Sequence, residues 1–72
     1  MNSLFKNRFL IAYHTEVDDN YLDSDYGRTK REAIKTAKYH LSDQFNRFGL
    51  RMVARIYNEL RYPNDLGIKI TL

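Results

Sequence analysis

Arg51, Val53, Arg55 and Tyr57 alternate along one stretch of chain. If that stretch is extended, the four side chains stand on one face, because successive residues of a strand point to opposite sides. Guanidinium groups flanking a phenol can clamp carboxylates or phosphates through parallel hydrogen bonds, and the ring can stack on planar groups. Arg and Tyr are also the residues that dominate protein interfaces. The plain alternative is an open sheet face kept in solution by its charges. Between the two binding readings, the apolar contact area of Val53 favours a protein partner over nucleic acid.

Arg31, Lys35 and Lys38 form a second basic set, at helical spacing on the side away from Ile34 and Leu41. This is the pattern of the solvated face of an amphipathic helix and is weak evidence for nucleic acid. It is a second candidate partner-binding surface. Asp18, Asp19, Asn20, Asp23 and Asp25 offer oxygen ligands suited to a hard cation. Their spacing fails the calcium-loop template. Started at Asp23, the template puts Gly27 one place too early and Ile34 where a bidentate Glu is required. The four aspartates are therefore expected to form an acidic surface, with no metal site.

His14 and His40 could in principle do acid–base work. The sequence has no nucleophile motif and no phosphate-cradling loop, since its glycines are scattered at Gly27, Gly49 and Gly67. The expectation is two surface histidines, no catalytic residue and no cofactor.

The elements that must position these residues follow from periodicity. From Phe5 to Val17 the odd positions are mostly apolar and β-favouring, which predicts a strand. Asp18-Asp19-Asn20 supplies a turn. Tyr21 to Tyr26 is a weaker strand, with Leu22, Ser24 and Tyr26 on one side. Thr29 and Glu32 match a capping box in which the Thr29 hydroxyl accepts from the Glu32 N–H and the Glu32 carboxylate returns to the Thr29 N–H. Ile34, Ala37, Leu41, Phe45 and Phe48 then make one apolar stripe, and Gly49 follows as a left-handed cap. This predicts a helix over about Lys30 to Phe48.

Leu50 to Tyr62 carries two patterns. Alternation supports a strand, while Met52, Ile56 and Leu60 would prolong the helical stripe. Gly49 as punctuation, with Val, Ile and Tyr as sheet formers, favours a strand from about Arg51 to Tyr57. After a turn at Pro63-Asn64-Asp65, Leu66, Ile68, Ile70 and Leu72 alternate as a last strand. The expected fold is α+β: a small, mainly antiparallel sheet of three or four strands, ββαββ or βαββ, with one amphipathic helix on one face. The other face must be polar or an interface.

Size and composition set the outer bounds. A chain of 72 residues makes one domain, 1–72, and buries only roughly 60% of its unfolded surface. It has no cysteine, which removes disulfides and thiolate chemistry. No apolar run approaches the ~20 residues that span a bilayer, so a cytoplasmic protein with no membrane partner is expected. Glu16 and the aspartates give 14–27 a formal charge of −5, while nine basic residues against three acidic give 28–62 a charge of +6. The molecule should be electrically bipolar unless folding brings the two segments together. These features point to a non-catalytic binding protein that modulates or inhibits a larger protein. Its composition suits a phage or mobile-element accessory protein acting on nucleic-acid-handling machinery. The alternative is a direct nucleic-acid-binding module using the basic and aromatic sheet face. Self-association as a homodimer through an uncovered face or edge is also expected.

Overall fold

The computed structural model describes residues 8–17, 21–62 and 64–72. Its elements are β1 (Phe9–Thr15), β2 (Tyr21–Gly27), α1 (Lys30–Phe48), β3 (Met52–Asn58) and β4 (Ile68–Ile70). The four strands form one sheet in the order β2-β1-β3-β4, every neighbouring pair antiparallel. β2 and β3 thus both run opposite to β1 and flank it, and α1 is the crossover between them. The fold is the ββαββ form of the expected α+β architecture. Expectations on Phe5, Asp18-Asp19-Asn20 and Pro63 lie outside the described residues. No described helix is long and apolar enough to cross a membrane.

The helix begins and ends where its capping residues dictate. Thr29 is extended (φ −129°, ψ 162°), and its hydroxyl accepts from the Glu32 N–H at 3.0 Å. The return bond differs from expectation. The Glu32 carboxylate accepts from the Arg28 N–H, at 2.7 Å, because that donor faces the first turn. At the other end Gly49 takes φ 66°, its N–H donating to the Phe45 carbonyl at 2.8 Å. Leu50 N–H reaches the Gln44 carbonyl at 3.4 Å, which completes a left-handed cap. This cap decides the ambiguous stretch, since a chain turned back by Gly49 cannot continue the helical stripe. Leu50 to Tyr62 accordingly holds β3 and then a turn.

The core lies between α1 and one sheet face. Ile11 and Tyr13 from β1, Met52, Ala54 and Ile56 from β3, and Ala33, Ala37 and Leu41 from α1 are all buried, with Phe9, Ile34, Leu50 and Ile70 packed at its edge. Phe45 and Phe48, expected to close the stripe, are exposed at 37% and 69%. The reason is length. Nineteen helical residues span about 28 Å, while the seven residues of β3 span about 23 Å, so the last helical turn overhangs the sheet. The final strand is also shorter than its alternation suggested. Only Ile68–Ile70 pair, and Leu66 is 90% exposed.

Gly27 is where β2 meets the helix start. A Cβ built there would lie 2.6 Å from the Ala33 nitrogen and 2.8 Å from the Ala33 Cβ. Only glycine permits that approach. It sets β2, whose Asp23 and Asp25 point to the helix side, alongside the helix.

Candidate functional site

β-sheet alternation sorts the candidate residues onto two faces. Tyr13, Ile11, Ala54 and Ile56 face the helix, so their neighbours Leu10, Ala12, His14, Val53, Arg55 and Tyr57 face the other way. Strand register aligns these into rows. Tyr26 of β2, Leu10 of β1 and Tyr57 of β3 lie directly across from one another. The next row is Ser24, Ala12, Arg55 and Lys69 of β4. No described helix or strand lies over this open face. Its middle is floored by the two smallest side chains, Ser24 and Ala12, beside the aromatic row.

The aromatic row is held by specific contacts. The Arg8 guanidinium stacks on the Tyr26 ring, 4.2 Å from its centroid. The same guanidinium donates to both carboxylate oxygens of Glu59, at 2.8 and 3.0 Å. These hydrogen bonds hold the Glu59 carboxyl below its ordinary value. The Tyr57 ring meets Tyr62 edge-on, with centroids 5.3 Å apart. Gly67 lies against the other part of Tyr57, where a Cβ would come within 2.7 Å of the ring. Gly67 itself adopts φ 81°, a left-handed conformation. Asp65 fixes this turn by accepting from the Asn58 N–H at 2.7 Å and the Gly67 N–H at 3.2 Å, which lowers its pKa from the ordinary value. A ring held on both sides loses little freedom on docking, which is how tyrosine contributes at interfaces.

Of the four residues first singled out, the structure brings Arg55 and Tyr57 together on this face. Val53 shares the face but is 3% exposed and offers no contact area, contrary to expectation. Arg51 precedes β3, and its guanidinium lies 4.9 Å from the Phe45 ring centroid at the helix end. It belongs to the overhanging last turn. Arg31, Lys35 and Lys38 are exposed on α1, on the opposite layer from Arg55 and Tyr57. Sequence reasoning missed Arg8, Tyr62 and Lys69 as members of the face. The even-numbered positions of the first strand carried the signal for Arg8. Tyr62 lies beyond β3 and returns to Tyr57 through a turn that periodicity does not encode.

The acidic residues lie elsewhere. Asp18 and Asp19 fall outside the described residues. Asp23 and Asp25 pair with Tyr13 and Ile11 and so point to the helix side. Each carboxylate accepts from the next residue's N–H, Asp23 from Ser24 at 2.8 Å and Asp25 from Tyr26 at 2.9 Å. β2 is an edge strand, and these bonds occupy two of its donors with charged groups, a device that discourages edge pairing. Among the described residues no group of three or more His, Asp or Glu side chains is placed to share a metal ion.

Both histidines are half-buried, where surface positions were expected. His14 Nδ1–H donates to the Thr15 carbonyl at 2.8 Å. The His40 ring lies 4.5 Å from the Tyr13 ring, and its Nε2 is 3.9 Å from the Asp23 carboxylate. Burial, then the charges of Asp25 and Asp23, push the Tyr13 phenol above its usual value. A separate cleft of about 300 Å³ lies at the helix start, lined by Phe9, Lys30, Ile56, Arg61 and Asp65 among others. Its carboxylate is the one already occupied by two backbone donors.

Comparison with protein-family models, with curated proteins and with solved structures finds no match.

Proposed function

We propose that this chain is a non-catalytic binding protein that docks on a larger protein through its open sheet face and modulates or inhibits it, acting in the cytoplasm. One observation carries the reading: the face away from the helix bears a row in which Tyr26 and Tyr57 flank Leu10, bordered by Arg8 and Arg55, and no described element covers it. Anchored aromatics beside guanidinium groups are the composition of interface hot spots. The edges suit docking less well than the face does. β2 is guarded by its aspartates, and β4 pairs over only three residues. The composition remains consistent with an accessory protein of a phage or mobile element whose target handles nucleic acid. Direct binding of nucleic acid by the same face is the competing reading, and homodimerisation through it is the self-directed form of the proposal.

The test is capture of partners from the native host with and without nuclease treatment, followed by affinity measurements on the partner recovered. A protein that survives nuclease and loses affinity to Tyr57→Ala supports the reading. Loss of every partner on nuclease treatment supports nucleic acid instead.

A further inference from the structure

Arg55 and Lys69 stand directly opposite one another across β3 and β4. Like charges at such a position repel, because the Cβ atoms of facing residues are only about 5 Å apart. Neither side chain has an ion pair or hydrogen bond with any described residue. Asp23 and Asp25 point to the helix side, and Glu59 is held by Arg8. The open face thus keeps a repulsive cationic pair beside its aromatic row, at a cost to its own stability.

We infer that the Arg55–Lys69 pair is a carboxylate-binding site that receives an acidic segment of the protein partner. This rests on the reading of the open face as the docking surface. Charge complementarity selects the occupant, and the number of charges selects its class. Nucleic-acid affinity comes largely from neutralising many phosphates at once, about 6–10 in a strongly salt-dependent binder. Among the described residues this face presents two unpaired cations, and Arg31, Lys35 and Lys38 lie on the helix layer behind the sheet. Two cations match one or two carboxylates. Arg55 can supply two parallel donors and Lys69 a mobile point charge, with Tyr57 next to Arg55's row for apolar contact.

The test uses the full chain, Lys69→Glu, Lys69→Gln and Tyr57→Ala. Two probes of equal charge are titrated, an oligoglutamate peptide and a single-stranded oligodeoxynucleotide. Lys69→Glu converts the repulsive pair into an ion pair, so its melting temperature should rise by roughly 2–5 °C. The same variant should bind oligoglutamate about tenfold more weakly. Lys69→Gln should show smaller changes in both directions. A melting temperature unchanged or lowered in both Lys69 variants would overturn the inference, as would tighter binding of the oligodeoxynucleotide than of oligoglutamate by the unmodified chain. If the captured partner is weakened by Tyr57→Ala but not by Lys69→Glu, the carboxylate site fails and the docking face stands. If neither variant weakens it, the docking face fails as well.

Discussion

Replacing Gly67 by alanine tests whether Tyr57 is held as described. Two costs apply. Gly67 has φ 81°, and an L-residue in the left-handed region loses about 1–2 kcal/mol. The new methyl would also lie 2.7 Å from the Tyr57 ring, against the roughly 3.5 Å of comfortable carbon contact. The ring must retreat by the better part of an ångström, which disturbs its edge contact with Tyr62, worth about 0.5–1.5 kcal/mol. Gly49→Ala is the control. Gly49 has a similar φ of 66°, but nothing lies within 4 Å of its Cβ position. It should lose the conformational term alone. Urea denaturation should therefore put Gly67→Ala about 1 kcal/mol below Gly49→Ala, a midpoint difference of about 1 M for a chain with a urea slope near 1 kcal/mol/M. Equal losses would show that the Tyr57 ring is not seated against Gly67. The supposed preorganisation of the binding face would then have no basis.

Other outcomes follow from the same contacts. Gly27→Ala should cost about 2 kcal/mol in a urea melt, since the obstruction is the Ala33 backbone and cannot swing aside. Thr29→Ala should cost about 1 kcal/mol through loss of the helix cap, and an unchanged denaturation midpoint would contradict it. Asp65 and Glu59 both have pKa values lowered by folding, so each contributes stability that is present above its unfolded pKa and lost as pH falls through the folded one. Melting temperature should consequently decline on acidification below about pH 4, and Asp65→Asn should flatten that decline.

Local signals with a single solution were legible in the sequence, and those that depend on register were not. The helix bounds were readable because a threonine cap and a left-handed glycine each satisfy specific backbone groups. β1 was readable because alternation with buried Ile11 and Tyr13 permits one orientation. Leu50 to Tyr62 satisfied two periodicities, and only the turned-back chain at Gly49 separates them. Phe45 and Phe48 continue the apolar stripe as well as Leu41 does. Their exposure depends on the length of a sheet that the helix sequence does not encode. The site shows the same division. Arg55 and Tyr57 follow from alternation within one strand. Arg8 over Tyr26, and Lys69 opposite Arg55, exist only through pairing between strands, and Arg51 left the set because the strand begins one residue after it.

The most direct test of the open-face account compares the captured protein partner's affinity for Tyr57→Ala, Arg55→Ala and a Lys35/Lys38 double-alanine variant, each at two salt concentrations. The account predicts a loss of about 1–3 kcal/mol for each strand variant, little change for the helix variant and a modest salt dependence. Full affinity in both strand variants, or a loss confined to the helix variant, would contradict it.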